Sequence, residues 1–188
     1  MQPTEQQVVA STEQWIREVV VELNLCPFAE PVVSSGRISY GVSDAEDEET
    51  IFRDLLQALD HFQQQDEQAV ATGFFVLSRG LEDFRQYNEY LDLVDGMLEE
   101  SGLQGVIQIA GFHPRYLFEG SDEQDPANYT NRSPYPMFHL IREDDLESAV
   151  ASHPDPASIP ERNIRLLRDM GLEDVKWRLA RCYQVDGS

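Results

Sequence analysis

A chain of 188 residues is long enough for one domain with a substantial apolar core, and its 41% hydrophobic content can supply that core. The net charge of -21, from 35 acidic against 14 basic side chains, would repel a phosphate backbone, so nucleic acid is excluded as an expected partner. No apolar run approaches the roughly 18 residues that span a bilayer, and no basic residue precedes Arg17. We therefore expect one cytoplasmic domain over residues 1–188, with no membrane contact.

Helices are predicted where apolar residues recur every three or four positions, and strands where they alternate or run continuously. In chain order the predicted elements are a helix from Val8 to Leu23, a strand at 37–42, a helix from Ile51 to Phe62, a strand at 69–77, a helix from Phe84 to Leu98, strands at 106–112 and 137–141, and helices at 144–152, 158–170 and 175–182.

Three polar signals mark helix starts. Ser11 with Gln14, and Ser158 with Glu161, have the spacing of capping boxes. The acidic stretch 44–49 suits the start of the next helix, because the helix macrodipole favours negative charge there.

The alternation of helices with strands predicts an α/β (or α+β) fold, with a single mixed sheet of about four strands packed with helices. A ferredoxin-like two-layer arrangement is the alternative. If the first three strands are parallel, ligands should bind outside their carboxyl ends, which would then meet at one edge. The residues at those ends are Ser43, Asp44, Ser78, Arg79 and His113.

A polar loop of about 24 residues separates the last two strands. Loops of that length inside a compact domain are usually either functional or disordered. The aromatic residues Tyr116, Phe118 and Tyr129 favour a functional loop, since disordered segments contain few aromatics.

Three residues are candidates for catalysis. His113 follows the third strand directly and is the leading general acid or base, the alternative being a histidine that bonds a loop carbonyl and orders the turn. His139 lies within the fourth strand, where a hydrogen-bonded core histidine is the alternative. Cys26 follows a helix C-terminus, which should raise its pKa, so a small buried hydrophobe or turn residue is the alternative to a nucleophile.

A proline-bounded segment carries the candidate substrate-binding groups. Arg132 could bind an anion through two hydrogen bonds, with Asn131, Ser133 and Asn128 in support. The alternative is a rigid turn in which the asparagines bond their own backbone. The remaining candidates are Asn24, Arg79, Arg37 and Arg142.

Two of these arginines are weaker candidates on geometric grounds. Strand alternation puts Arg142 on the face opposite His139. Arg37 stands at the amino end of its strand, far from His113 if the strands are parallel.

Metal and cofactor signals are weak. Cys26, His113, Asp125 and His139 have the side chains that bind zinc or iron, but their separations show no ligand spacing, so we predict no metal site. No glycine-rich phosphate loop or nucleophile elbow occurs, and we predict no cofactor. In a reducing cytosol Cys26 and Cys182 are expected to stay free thiols.

Several segments in combination resemble one bacterial family. The segments are Asn24–Phe28, Gly111–Pro114, Asn131–Pro136 and His139–Glu143, and they resemble the family catalogued as domain of unknown function 1415. The likeness spans nearly the whole chain. It implies a bacterial intracellular protein of about this length, and no reaction or residue role comes with it.

The function predicted first is an enzyme that acts on a small anionic metabolite, with His113 as acid or base and Arg132 holding a carboxylate or phosphate. The second is a non-catalytic binding or regulatory module that uses the same loop. The third is a metal-dependent enzyme. All three place the site around Asn24 to Cys26 and His113 to Glu143, with a small molecule as the expected partner.

Overall fold

A computed structural model describes residues 2–183 of the chain. Its helices and strands, in chain order, are α1 (Glu5–Trp15), a π-helix (Ile16–Val21), α2 (Ala29–Ser34), β1 (Ile38–Ser43), α3 (Glu48–Gln64), β2 (Thr72–Leu77), α4 (Phe84–Glu100), β3 (Ile107–Phe112), a 3-10 helix (Pro126–Thr130), β4 (Met137–Arg142), α5 (Glu143–Ser152), a 3-10 turn (Pro156–Ser158), α6 (Ile159–Met170) and α7 (Leu172–Arg181). All ten predicted elements are present, with ends shifted by a few residues. Pattern reading missed the π-helix, α2 and the two 3-10 segments.

The N-cap of the first helix lies seven residues before the predicted one. Thr4 is the N-cap, and its hydroxyl and the side chain of Gln7 form the capping box. The prediction that Ser11 and Gln14 do this was wrong, because Ser11 lies inside the helix on its buried face. Near its end α1 widens into the π-helix, in which the Glu22 amide donates to the carbonyl of Arg17, five residues back.

The acidic stretch does precede a helix start. Asp47 caps α3 by accepting a hydrogen bond from the Thr50 amide, and Glu48 and Glu49 occupy the first turn. The capping box predicted at Ser158 does not form, because the chain enters α6 directly from a 3-10 turn and the Ser158 hydroxyl donates backward to the Asp155 carbonyl.

The sheet has four strands in the order β1-β2-β4-β3. Strands β1 and β2 pair in parallel, and β4 pairs antiparallel with both β2 and β3. Strands β1, β2 and β3 therefore run in one direction, and the single mixed sheet of the predicted α/β fold is confirmed. Their carboxyl ends meet at one edge, as expected, but β4 separates the third strand from the other two.

Helices cover both faces of the sheet, so the two-layer alternative was wrong. On one face, Phe75 and Phe138 pack under α3 and α4. On the other face, Phe74 and Met137 pack under α1, the π-helix, α6 and α7. This follows from neighbouring side chains of each strand pointing to opposite faces, both of which are apolar in β2.

Within residues 2–183, no helix combines the length and the apolar character needed to cross a bilayer.

Candidate functional site

His113 fastens the carboxyl edge of the sheet. The Arg115 amide donates to Nδ1 at 3.0 Å, so Nε2 carries the proton and donates to the Leu81 carbonyl at 3.0 Å. Leu81 has a φ of 49°, in the left-handed region that a leucine rarely adopts, and the bond from His113 holds it there. The ring is fully buried against Phe84 and Tyr87.

These contacts fix the charge of His113. Burial lowers its pKa to about 4, so the ring is neutral at physiological pH. Because both nitrogens already bond the protein, neither can exchange a proton with a ligand without breaking the turn. The geometry matches the structural alternative given for this residue, a histidine that bonds a loop carbonyl.

The Arg132 guanidinium is hydrogen-bonded within its own loop. It donates to the carbonyls of Tyr116 at 3.0 Å and Glu123 at 3.1 Å, and it lies over the Tyr129 ring. The hollow beside it, walled mainly by apolar side chains of the π-helix, α6 and α7, measures about 10 Å³. That space holds about one water molecule, which is too little for a metabolite.

Asn128, fully buried, organises the same loop. Its oxygen accepts hydrogen bonds from the Phe118 amide and the Ser121 hydroxyl, and its nitrogen donates to the Asp122 carbonyl. All of its strong hydrogen-bonding positions but one donor hydrogen are therefore used within ten residues of the chain.

The two neighbouring candidates in this loop also make internal bonds. The side-chain oxygen of Asn131 lies 3.0 Å from the Thr130 hydroxyl, which shares its hydrogen with the Ala127 carbonyl. The buried Ser133 hydroxyl donates to the Tyr135 carbonyl. The long loop is thus ordered by its own hydrogen bonds. This is the geometry of a rigid turn, which was the alternative to an anion-binding loop.

The segment with Asn24 and Cys26 packs on α6. Arg162 donates to the Asn24 carbonyl, and Asn163 donates to the Leu25 carbonyl at 2.7 Å. Burial raises the pKa of Cys26, which keeps it a thiol at neutral pH. Neither residue shares a hydrogen-bonding partner with the His113 ring.

The other three candidate arginines each bond groups of the protein itself. Arg142, nearly buried, donates to the carbonyls that end α3 and lies over the Phe62 ring. Arg79 pairs with Glu46 at the carboxyl edge, and Arg37 bonds the Ser35 hydroxyl at the amino edge. The expected separation of Arg142 from His139 is present, since Phe62 belongs to the α3 face and His139 to the other.

Of the two candidate histidines, His139 makes fewer hydrogen bonds through its ring. It stacks on Phe74 at 4.2 Å, and its Nε2 lies 2.7 Å from the Thr72 hydroxyl. The Thr72 hydroxyl donates its hydrogen to the Leu140 carbonyl. Nε2 of His139 must therefore carry the ring proton and donate to the hydroxyl oxygen, which leaves Nδ1 unprotonated. Burial lowers the pKa of His139 to about 3, so the ring stays neutral.

The side chains weighed as metal ligands lie in unrelated contacts. Asp125 forms a two-fold hydrogen bond with Arg168, whereas His113 and His139 are held as described above. Over residues 2–183 no group of three histidine, cysteine or carboxylate side chains is arranged to bind a metal ion.

A cleft on the α1 side of the sheet brings other residues together. We call it the Tyr40 cleft; it measures about 70 Å³ and is lined by Glu13, Ile16, Arg17, Val33, Gly36, Ile38 and Tyr40. Its walls come from α1, the first turn of the π-helix, α2 and β1. The turn at Gly36 has a φ of 67°, which favours glycine and lets the chain reverse between α2 and β1.

Three polar side chains of the Tyr40 cleft have unused hydrogen-bonding capacity. Glu13 and Arg17 approach only to 3.9 Å, and their side chains are 40% and 66% exposed. Burial, and then the Glu13 carboxylate, raises the pKa of Tyr40, so its hydroxyl stays protonated and can donate. The ring of Tyr40 stacks on Phe74, which in turn stacks on His139.

The family model described as "Protein of unknown function (DUF1415)" matches residues 7–177. The chain belongs to this family. The match covers every residue of the Tyr40 cleft, as well as the segments on which the resemblance was based. No curated protein and no solved structure matches the chain.

Sequence reasoning missed the residues of the Tyr40 cleft. The available signals were the four-residue spacing of Glu13 and Arg17 and a tyrosine within an apolar strand face. Both patterns are common in surface helices and sheets, and neither shows that the helix crosses the strand at that point.

Proposed function

We propose that this DUF1415 protein binds a small polar metabolite in the Tyr40 cleft and does not transform it. The observation that carries the proposal is the convergence of a carboxylate, a guanidinium and a hydroxyl, none with a short hydrogen bond inside residues 2–183, on one hollow with apolar walls. Ligand sites commonly combine such walls with a few convergent polar groups.

Binding is favoured over the enzyme that acts on an anionic metabolite because of the states of the histidines. A general base works best when its pKa lies near the operating pH, whereas His139 and His113 have pKa values lowered to about 3 and 4. Arg132, the intended anion clamp, donates to two carbonyls of its own loop. The metal-dependent enzyme has no supporting cluster in the described chain.

A thermal-shift screen of a metabolite library tests the proposal. We expect a compound that raises the Tm of the wild-type protein, because a ligand that binds only the folded state stabilises it. Tyr40→Phe should reduce that shift, since it removes one hydrogen bond to the ligand. Tyr116→Phe is the matched control, because Tyr116 is also half-buried but lies in the loop after β3.

Two outcomes contradict the proposal. The first is a shift that is the same in the wild-type protein and in both variants, or absent with every compound. The second is turnover: a product detected by mass spectrometry after incubation of the hit with the protein would show that the function is catalytic.

A further inference from the structure

The two charges of the Tyr40 cleft lie on one helix face. Glu13 and Arg17 are four residues apart, so they stand one turn from each other and both line the hollow. Their 3.9 Å separation is at the limit of an ion pair, and neither makes a side-chain hydrogen bond within residues 2–183. Each therefore keeps its capacity for an external partner.

This arrangement discriminates against ligands with a single charge. An anion at Arg17 would be repelled by Glu13 and by the net charge of -21, and a cation at Glu13 would be repelled by Arg17. A ligand with both charges a few ångströms apart satisfies both groups at once. Charge-assisted hydrogen bonds of this kind are stronger than neutral ones.

The size and walls of the cleft restrict the rest of the ligand. The hollow measures about 70 Å³, well below the roughly 300–1,000 Å³ of pockets for drug-sized ligands, so it suits a small ligand. Ile16, Val33 and Ile38 provide apolar walls that favour a short aliphatic group. A small aliphatic amino acid has this size, this apolar group and both charges.

We propose that the Tyr40 cleft binds a small zwitterionic amino acid, with its ammonium group at Glu13, its carboxylate at Arg17 and its side chain against the apolar wall. Tyr40, which also lines the cleft, donates its hydroxyl hydrogen to the carboxylate. This assignment rests on the proposed binding function and adds the class of ligand to it.

Calorimetry with three probes of similar size tests the assignment. Alanine carries both charges, propionate lacks the ammonium group and ethylamine lacks the carboxylate. We expect alanine to bind about tenfold or more tightly than either single-charge probe, since each lacks one charge-assisted contact. Glu13→Gln and Arg17→Gln should each raise the Kd for alanine by a similar factor.

The pair Arg85 and Glu89 provides the matched control. It has the same four-residue spacing on an exposed helix face of α4, so Arg85→Gln and Glu89→Gln should leave the Kd for alanine unchanged. All four substitutions are at partly or largely exposed side chains, and an unchanged Tm without ligand will verify that each variant folds.

The outcomes separate this assignment from the broader proposal. Propionate or ethylamine binding as tightly as alanine, or alanine binding that survives Glu13→Gln, overturns the zwitterion assignment. If alanine fails while another compound binds in a Tyr40-dependent manner, the assignment is wrong and the proposed function stands. If no compound binds, both are wrong.

Discussion

At the scale of single residues, the polar side chains that the sequence marks as functional are those that tie loops together. His113, Arg132 and Asn128 each bond two or three groups of the backbone or of neighbouring side chains. Buried polar groups must be hydrogen-bonded, and a long loop over a sheet edge has many backbone groups to satisfy. Residues able to bond in several directions therefore occur there whether or not a ligand binds.

Removal of the His113 ring should destabilise the protein strongly. His113→Ala leaves the Leu81 carbonyl without its donor and opens a cavity against Phe84 and Tyr87, so we expect the free energy of unfolding to fall by about 2–4 kcal/mol. Urea unfolding measures this. His61→Ala, at an exposed position, should change it by less than about 0.5 kcal/mol, and equal losses would contradict the assigned role.

The titration of His139 should appear in the pH dependence of stability. Its pKa in the folded protein, about 3, lies below the ordinary value of 6.5, so the unfolded chain binds the proton more readily between these values. The stability contributed by the neutral ring is complete above pH 6.5 and is lost as the pH falls toward 3.

His139→Phe keeps an aromatic ring on Phe74 and removes this titration. The free energy of unfolding should therefore decline less steeply from pH 6.5 to 4 in the variant than in the wild-type protein. Parallel slopes in the two proteins would show that His139 titrates normally.

At the scale of elements, helix ends decide where the arginines go. At the end of α3, Arg142 of β4 donates to the carbonyls of Phe62 and of the C-cap residue Gln65. The Phe62 carbonyl also accepts a 3.3 Å bond from the Gln65 amide, so the guanidinium completes the bonding of an end with few backbone donors. A cation is also favoured at this end of the helix dipole. Arg142 thus joins a helix to the sheet, which explains why an arginine lies on the covered face of a strand.

Arg142→Met tests that junction. The side chain keeps its apolar length but loses both hydrogen bonds, so we expect a loss of about 2–4 kcal/mol and faster amide exchange in the last turn of α3. Arg53→Met, at an exposed position of α3, is the control and should leave both measurements nearly unchanged. Normal exchange protection at the end of α3 in Arg142→Met would refute the capping role.

The π-helix is the element that shapes the Tyr40 cleft. Its wide turns begin at Ile16, one residue before Arg17, and both residues line the hollow. Short π-segments within α-helices are frequent at functional sites, because they are less stable than regular turns and persist where the local shape is useful.

At the scale of the whole molecule, the excess of acidic side chains should oppose the compact state. Added salt screens repulsion between like charges, so raising KCl from about 0.05 to 0.5 M should raise the Tm by about 2–4 °C, equivalent to about 1 kcal/mol for a chain of this size. Sucrose at equal osmolality controls for solvent exclusion. A fall in Tm with KCl would mean that surface ion pairs outweigh the repulsion.

The fold was more predictable than the site. Apolar periodicity located all ten predicted elements, because the same periodicity determines which side chains are buried. Only the tertiary structure excludes the two-layer alternative, since a helix that packs on one face of a sheet has the same apolar pattern as a helix that packs on the other. Residues such as Ser11 and Ser158 have capping patterns whose use depends on where the preceding backbone lies.

The amino-acid sequence by itself determined the acidic character and the α/β class, because these depend on composition and local periodicity, and its motif segments indicated the family. The direction of the first three strands came from the pairing in the tertiary structure. Only the tertiary structure decided that His113 bonds the distant Leu81 carbonyl, that Arg132 bonds its own loop, and that Glu13, Arg17 and Tyr40 line one cleft. The physical reason is that a polar side chain is free or occupied according to which partners lie within hydrogen-bonding distance. Those partners come from distant parts of the chain, and no local pattern specifies them.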